Sequence, residues 1–313
     1  MDKDSKIVIF EPNMISSAIY KVLKESGYTK IYMPGSDTVD LENEKSVMGY
    51  YKRIEPEYIF CFAGPHGGIT ENLKKPAEFI YKNLKIQNNI INSSYLNNAK
   101  RLLFITGACA YPKECPQPMK EEYFMDGKME PTSVAYSMAK AAGIEMCFAY
   151  NRQYGTSFIP CIMCNNYGPG DDFSESGHVL AAIINKMYTA KVNQKPKVEF
   201  YGTGLPKREF MYSEDIARAA ICIMDNLEEP ELVNIGGGNE VTIKELANLV
   251  KECIGYAGEI SFDSSKPDGV MRKLCDGSKL SNMGFHPEVS LKEGLEITYK
   301  YYLEMRLLCG KLN

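Results

Sequence analysis

The sequence predicts an α/β protein in which a doubly wound parallel sheet is followed by a smaller α+β lobe. In the first half of the 313-residue chain, short apolar runs rich in β-formers alternate with longer segments of helical spacing. Strands and helices that alternate in this way form a parallel sheet with helices on both faces. After about residue 170 the alternation fades, and capping boxes at Thr242 with Glu245 and at Ser290 with Glu293 predict two late helices.

Each predicted strand is a short apolar run, and each predicted helix carries apolar residues at helical spacing. The strands are 7–10, 30–33, 58–63, 102–106 and 158–164. The helices are 14–26, 41–54, 76–98 and 135–152, which gives the order βαβαβαβαβ. Because ligands of such sheets bind where the strands end, we expect the loops after Phe10, Ala63, Thr106 and Cys164 to meet in one cleft.

The composition excludes several classes of protein. With 44% hydrophobic and 24% charged residues, the chain is too apolar to be disordered. A net charge of -4 creates no field that would attract nucleic acid or an anionic membrane. The N-terminus lacks an apolar stretch of signal-peptide length and the ten cysteines lie mostly in apolar runs, so we expect a reducing, cytoplasmic location. Cys161 and Cys164 lack a second pair or a His cluster, and we interpret them as buried strand cysteines and predict no metal site.

Tyr136 and Lys140 are the strongest catalytic candidates that spacing alone provides. They lie one helical turn apart, on the same face of the helix predicted after the strand that ends at Thr106. An ammonium near a phenol lowers the phenol's pKa, so that Tyr can act as a general acid or base. Two other Tyr–Lys pairs share this spacing, 20/24 and 81/85, and we interpret them as surface pairs because they lie away from the predicted cleft.

The chain also carries a set of motif blocks in a recognisable order. They include Ala-Gly-Pro-His-Gly-Gly-Ile at 63–69, Tyr-Ser-Met-Ala-Lys at 136–140, Asn-Asn-Tyr-Gly-Pro at 165–169 and Ser-Lys-Pro-Asp-Gly at 265–269. Further blocks lie at 76–83, 109–112, 130–132, 150–155 and 208–210. Collinear over about residues 7–304, these blocks resemble the GDP-L-fucose synthase family, which are extended short-chain dehydrogenases/reductases of the NAD-dependent epimerase/dehydratase type.

This resemblance implies a fold, a reaction and an assembly. The fold is a Rossmann-type dinucleotide-binding domain over 1–170, to which segments around 197–225 return, with a substrate lobe made of 171–196 and 226–313. In the reaction a GDP-4-keto-6-deoxy sugar is epimerised at C3 and C5, and its 4-keto group is reduced with NADP(H) or NAD(H). The long helices 76–98 and 135–152 resemble those that pair across a two-fold axis in this superfamily, so we expect a homodimer.

The resemblance also implies roles for individual residues. Tyr136 would give a proton to the C4 oxygen, and Lys140 would orient the nicotinamide ribose and lower the pKa of Tyr136. Cys109 and His178 would exchange the protons at C3 and C5, work that suits a Cys and a His near their ordinary pKa values. The substrate-binding candidates are Asn165, Lys186, Tyr201, Arg208 and Lys273. We also consider His66, in a loop at the cleft edge, as a substrate contact.

The turn after the first strand departs from the family pattern. Its three glycine positions hold Phe10, Asn13 and Ser16, and the Phe10 ring is expected where the chain passes a bound pyrophosphate. Glu11 adds a like charge, and Pro12 and Ser36 stand where NADP-preferring relatives have Arg. The candidate cofactor contacts are Phe10, Asn13, Met14, Ile15, Asp37, Ala63 and Lys140.

A second departure affects hydride transfer, because Gly107 occupies the place of the catalytic Ser, with Thr106 as a substitute hydroxyl. Three functions remain open. The first is a complete epimerase/reductase whose altered loop still binds the cofactor, and the second is a hydride-independent 3- or 3,5-epimerase that has kept Cys109 and His178. The third is a non-catalytic sugar-nucleotide-binding paralogue, in which Cys109→Ser or Tyr136→Phe leaves binding unaffected.

Overall fold

The computed structural model describes residues 1–174, 177–237, 240–266 and 268–310. Its strands are β1 (Lys6–Phe10), β2 (Lys30–Tyr32), β3 (Tyr58–Cys61), β4 (Arg101–Gly107), β5 (Phe158–Met163), β6 (Asn165–Tyr167), β7 (Lys197–Tyr201), β8 (Lys207–Tyr212), β9 (Val233–Ile235), β10 (Glu240–Thr242), β11 (Glu259–Asp263) and β12 (Arg272–Lys273). Its α-helices are α1 (Met14–Glu25), α2 (Glu44–Ile54), α3 (Ile69–Lys74), α4 (Pro76–Leu96), α5 (Val134–Tyr154), α6 (Val179–Val192), α7 (Ser213–Asn226), α8 (Ile243–Ile254), α9 (Ser278–Asn282) and α10 (Leu291–Gly310).

A six-stranded parallel sheet with the order β2-β1-β3-β4-β5-β9 forms the larger half of the molecule. Apart from the edge strand β2, its strands are buried along almost their whole length, because they are apolar on both faces. The chain passes from β1 to β2 on one side and then returns to β3 on the other, so right-handed crossovers place α1 and α2 on opposite faces. The crevice between the ends of β1 and β3 is therefore the topological switch point, where such sheets bind ligands.

The strands and helices predicted for the first half are confirmed, and the fold is the predicted Rossmann-type α/β fold. The largest difference in where an element begins is at α2, which starts at Glu44 rather than at residue 41. Asn43 caps this helix, since its side chain accepts a hydrogen bond from Ser46 N at 3.2 Å. The Asn43 cap therefore determines where α2 begins, which the spacing of apolar residues alone does not determine.

A second hydrophobic core supports the smaller lobe, and α6, α8 and α10 pack around it. Its strands form two small sheets, with β8 between β10 and β12 and also paired with β6, and with β7 paired with β11. Both predicted capping boxes begin helices here. Thr242 and Glu245 cap α8 reciprocally, and Ser290 Oγ accepts a hydrogen bond from Glu293 N at 3.2 Å at the start of α10.

The expected division of the chain is wrong at four strands. β6, expected in the dinucleotide-binding domain, pairs with β8, and β8, expected to return to that domain, lies in a small sheet between β10 and β12. β7, also expected to return to that domain, pairs with β11 in the smaller lobe, where Val198 and Phe200 bury one face of the strand. β9, expected in the substrate lobe, pairs with β5 and completes the large sheet, because all three of its residues are buried. Of the segment expected to return, α7 does pack against α1 of the larger half.

Several smaller sequence predictions concern cysteines, metals and turns. Cys161 and Cys164 are both buried at the end of β5. Within the described ranges, no group of three or more His, Cys, Asp or Glu side chains could hold a metal ion. No helix in the described part of the chain is long and apolar enough to cross a membrane. The run Gly-Gly-Gly-Asn at 236–239 predicts a turn, but this segment lies partly outside the described residues.

Candidate active site

The loops after β1, β3, β4 and β5 open onto one cleft, as the strand order predicts. The cleft holds a larger cavity of about 310 Å³ and a smaller one of about 150 Å³. Phe62, His66, Asn166 and His178 line both cavities, so the two are continuous. The smaller cavity lies at the start of α1, whereas the larger one extends to β8 and β12 of the smaller lobe.

Tyr136 lines the larger cavity from the first turn of α5, with its ring edge against Phe79 at a centroid distance of 6.2 Å. Lys140, one turn further on, is buried, and its Nζ lies 5.6 Å from the centre of the Tyr136 ring. The ammonium donates a hydrogen bond to Ala63 O at 2.9 Å. Burial raises the pKa of the Tyr136 phenol well above its ordinary value. Desolvation therefore outweighs the lowering of this pKa that the resemblance implies for Lys140.

Cys109 lines the same cavity from a short 3₁₀ turn, Ala108–Ala110, that directly follows β4. Its Sγ donates to Gly107 O at 3.6 Å. Burial raises the pKa of the thiol, although Lys273 and Lys140 favour the thiolate. The expectation of an ordinary Cys pKa is therefore wrong, and the thiol keeps its proton at neutral pH.

His178 occupies the N-cap position of α6, but its side chain makes no capping bond. Its Nδ1 instead lies 3.1 Å from Oδ1 of Asp171, a buried carboxylate whose other oxygen has no hydrogen-bond partner among the described residues. This contact raises the pKa of His178 above its ordinary value. The His66 ring stacks on the His178 ring, with centroids 6.1 Å apart and planes 6° apart. Desolvation in the cleft lowers the pKa of His66, so the pKa values of the two histidines are shifted in opposite directions.

Sequence reasoning did not find Asp171. It lies seven residues before His178 in the turn that follows β6, and the signal available was the Asp-Asp pair at 171–172 after Gly170. Two acidic residues in a Gly-containing turn are usually turn formers, so this signal is weak. His66 was treated as a substrate contact, and the structure places it directly beside His178.

Neither residue 106 nor residue 107 supplies a hydroxyl beside Tyr136. Gly107 lines the larger cavity but has no side chain, and Thr106 is fully buried with its Oγ1 unpaired among the described groups. Thr106 therefore does not substitute for the missing Ser, since its side chain lies in the core beneath the cleft. Ser133, one turn before Tyr136, is the aliphatic hydroxyl among the described residues that line this cavity.

The substrate-binding candidates divide into two groups. Asn165 and Lys273 line the larger cavity, although the Asn165 amide already donates to Glu209 O at 2.8 Å. Lys186 and Tyr201 lie outside both cavities, with Lys186 Nζ 5.7 Å from the centre of the 75% exposed Tyr201 ring. Arg208 also lies outside both cavities, but it is the register partner of Lys273 on the paired strands β8 and β12.

The loop after β1 differs from the sequence-based expectation at Phe10. The Phe10 ring is fully buried and stacks on Tyr51 at a centroid distance of 5.7 Å. It therefore points into the core beneath α2 and not towards a phosphate, so Phe10 is wrong as a side-chain contact to a cofactor. Asn13, Met14 and Ile15 line the smaller cavity as expected, while Asp37 is exposed outside both cavities.

The acidic residues of this region decide whether a nicotinamide dinucleotide fits. Glu11 has φ 63° in the left-handed region, and its carboxylate accepts a hydrogen bond from Gly64 N at 2.6 Å. Asp171 and Asp172 line the smaller cavity, and none of the described residues that line it is Lys or Arg. A pyrophosphate carries negative charge and needs backbone donors or cations. The described residues around this loop therefore present carboxylates, and no Lys or Arg side chain, to the smaller cavity.

Residues 13–236 match the family described as the NAD dependent epimerase/dehydratase family. The chain belongs to this family. It is 42% identical to GDP-L-fucose synthase 1 of Arabidopsis thaliana over 305 residues, which cover 97% of this chain and 94% of the plant protein. The conclusion from the motif blocks is therefore confirmed, and the chain is an enzyme of the epimerase/reductase type that this group represents.

Solved structures in the same family have the same architecture. A GDP-6-OMe-4-keto-L-xylo-heptose reductase from C. jejuni superimposes with a TM-score of 0.91 at 34% identity, covering 97% of this chain and 99% of that one. MlghC, a GDP-mannoheptose C4 reductase from Campylobacter jejuni solved with NADP bound, gives a TM-score of 0.89 at 35% identity with the same coverage. These relatives act on GDP-linked sugars, and the second binds NADP.

Proposed function

We propose that this protein epimerises a GDP-linked 4-keto-6-deoxy sugar at C3 and C5 by proton exchange. The observation that carries the proposal is that Cys109, Tyr136 and His178 line one cavity of about 310 Å³. These groups come from the turn that follows β4 and from the starts of two different helices, α5 and α6. A flat enolate that must receive a proton on the opposite face needs such an arrangement.

The ketone makes the neighbouring hydrogens acidic, because the enolate spreads the negative charge onto oxygen. Tyr136 keeps its proton and, together with Ser133, donates hydrogen bonds towards the C4 oxygen. His178 takes the proton from carbon, and the Cys109 thiol gives one to the opposite face. The C–H bond to the old hydrogen breaks, a new C–H bond forms, and the resulting imidazolium and thiolate exchange protons with water in the open cleft.

The directions of the pKa shifts support this division of roles. Cys109 has a raised pKa and rests as the neutral thiol, which is an acid. His178 has a raised pKa because of Asp171, which makes its neutral form a stronger base. His66 stays neutral beside it, and so it adds no positive charge that would oppose protonation of His178.

Basic residues on β8, β12 and α6 favour the binding of a sugar nucleotide whose diphosphate extends out of the cavity. Lys273 lies at the cavity wall, its register partner Arg208 lies next to it, and Lys186 and Tyr201 lie further out. Arg208 lies against Gly269 of the 265–269 block, where an added Cβ would come within 3.3 Å of its Nη2. We propose that Asn165 and Lys273 bind the sugar end and that Lys186, Tyr201 and Arg208 bind the GDP end.

Reduction at C4, the second half of the reaction implied by the resemblance, requires NADP(H) or NAD(H). Tyr136 and Lys140 remain in place for it, but the loop after β1 does not fit the pyrophosphate in this conformation. The proposed mechanism is therefore confined to proton exchange. We also propose a cytoplasmic homodimer, formed by α4 and α5, which expose Tyr81, Leu96 and Met138 to solvent.

The test is incorporation of deuterium from D₂O into GDP-4-keto-6-deoxymannose, followed by NMR and mass spectrometry, without nicotinamide. We expect exchange at C3 or C5, and its loss in Cys109→Ser and in Tyr136→Phe. Binding of GDP by each variant shows that the protein is folded. A wild-type protein that binds the sugar nucleotide without any exchange would refute the proposed function and favour a binding paralogue.

A further inference from the structure

The dinucleotide crevice of this protein is bridged by its own side chains. Glu11 is the first residue after β1 and Gly64 follows β3, and these two strands are neighbours at the topological switch point. The bond from Gly64 N to Glu11 Oε2, at 2.6 Å, therefore spans the mouth of the crevice in which such sheets bind a pyrophosphate. It occupies the backbone N–H of Gly64.

A second side chain joins the same two loops. Asn13 Nδ2 donates to Phe62 O at 2.9 Å and to Glu11 O at 3.1 Å. Asn13 Oδ1 accepts from Ser16 N at 2.9 Å, so one of the free N–H groups at the start of α1 is already used. The loop after β1 is thus hydrogen-bonded at two points to the segment that follows β3. Asn13, a residue of the same loop, bonds one of the N–H groups at the start of α1.

The left-handed backbone conformation at Glu11 costs conformational free energy, and the hydrogen bond of the Glu11 side chain offsets it. A φ of 63° is a left-handed conformation that favours glycine, and Glu adopts it here while its carboxylate bonds to Gly64 N. The same loop could relax if the carboxylate had no partner. The Glu11 carboxylate therefore belongs to the folded arrangement of the crevice and is not a solvated surface group.

The charges around the crevice oppose a pyrophosphate. Glu11, Asp171 and Asp172 supply negative charge, and the described residues lining the smaller cavity include no Lys or Arg. The buried Lys140 ammonium is already bonded to Ala63 O. A carboxylate about 5 Å from a phosphate, at an effective dielectric constant of roughly 20, weakens binding about a hundredfold.

We infer that Glu11 closes the dinucleotide crevice, so that proton exchange at the sugar runs without a nicotinamide cofactor and the protein works as a hydride-independent epimerase. This inference rests on the proposed function for its catalytic part. The crevice itself is closed whether or not the sugar reacts. Removing the Glu11 side chain both breaks the bond to Gly64 and removes the opposing charge.

The experiment is a calorimetric titration of the full-length protein with NADPH and with NADH, each with and without GDP, after bound nucleotide has been checked for. We expect no binding of either dinucleotide to the wild type below millimolar concentration. Glu11→Gly, which also relieves the left-handed strain, should bind NADPH at least about a hundredfold more tightly. Glu11→Gln keeps an acceptor for Gly64 N but removes the charge, and should give an intermediate gain.

Glu55→Gly is the matched control. Glu55 is also a left-handed glutamate, with φ 54°, but it lies on the surface at the end of α2, paired with Lys6. We expect this variant to bind dinucleotide no better than the wild type. Low-micromolar binding by the wild type, or no gain in Glu11→Gly while GDP still binds, would overturn the inference. Absence of deuterium exchange would instead refute the proposed function, since the dinucleotide titrations do not depend on catalysis.

Discussion

Asp171 holds the imidazole of His178 by a hydrogen bond of 3.1 Å between Oδ1 and Nδ1. The carboxylate is almost completely buried, while the His178 side chain remains 45% exposed in the cleft. A buried anion that bonds one nitrogen of a histidine fixes the orientation of the ring and leaves the other nitrogen free for substrate. Asp171 is therefore a positioning residue for His178, and its effect can be measured through the pH dependence of exchange.

Asp171→Asn should shift the acid limb of the exchange rate to lower pH. His178 acts as the proton acceptor, so the rate rises as pH rises through its pKa, and Asp171 raises that pKa. Without the Asp171 carboxylate the pKa of His178 falls towards its ordinary value, and the acid limb moves to lower pH. The measurement is the deuterium exchange rate between about pH 5 and 9, a range that spans the ordinary pKa of His.

Asp172→Asn provides the control for this prediction. The two carboxylates are adjacent in sequence and both favour protonated His178, but Asp171 makes the hydrogen bond. The neighbour variant should move the limb less. An acid limb that stays in place in Asp171→Asn, or moves equally in both variants, would contradict the positioning role.

Cys109→Ser should slow exchange at C3 and C5 by roughly 10²- to 10⁴-fold, the range for removing a general acid or base. A hydroxyl is a far weaker acid than the thiol, and it is nearly the same size in the cavity. Cys115→Ser is a matched control, because Cys115 is also partly exposed with a pKa raised by burial but lies outside both cavities. Equal rates in the Cys109 variant and in wild type would show that the proton donor is another group.

The sequence was sufficient for elements whose own residues decide their form. The apolar runs of β1 to β5 and the periodic faces of α1, α2, α4 and α5 predicted the sheet and its cleft edge. Strands β6 to β9 are predicted in the wrong half, because each has only three to six residues and the choice of pairing partner depends on the rest of the fold.

The candidate site was predicted as a set of residues but not as an arrangement of charges. Motif blocks brought Cys109, Tyr136 and His178 to one cavity, which the structure contains. The direction of the pKa of Cys109 and Tyr136 could not be predicted, since it depends on burial that no local pattern shows. The direction of the Phe10 ring likewise depends on the aromatic side chains of α2, which lie about forty residues away in the chain.

Restoring glycine at position 10 should destabilise the protein and not simply recreate the family loop. The Phe10 ring fills the core between Tyr50 and Tyr51, so its removal leaves a cavity and costs about 3–5 kcal/mol of unfolding free energy. Asn13→Gly, at the next glycine position, should cost less, about 1–2 kcal/mol, because Gly is tolerated at an N-cap but the hydrogen bonds of the Asn13 amide to Phe62 O and Glu11 O are lost. Urea denaturation followed by circular dichroism measures both. A Phe10→Gly midpoint close to that of wild type would show that the ring is not part of the core.

Met138→Lys should convert the proposed homodimer into monomers. Met138 lies on α5 with 46% of its surface exposed, and a lysine ammonium buried in the proposed helix-to-helix interface would lose its hydration without a partner. Met271→Lys is the matched control, because Met271 is 54% exposed in the smaller lobe, away from α4 and α5. Light scattering coupled to size exclusion should give twice the chain mass of 35.2 kDa for wild type and for the control, and the single chain mass for Met138→Lys. A wild-type mass equal to one chain would refute the homodimer, and an unchanged dimer in Met138→Lys would place the contact between subunits on another surface.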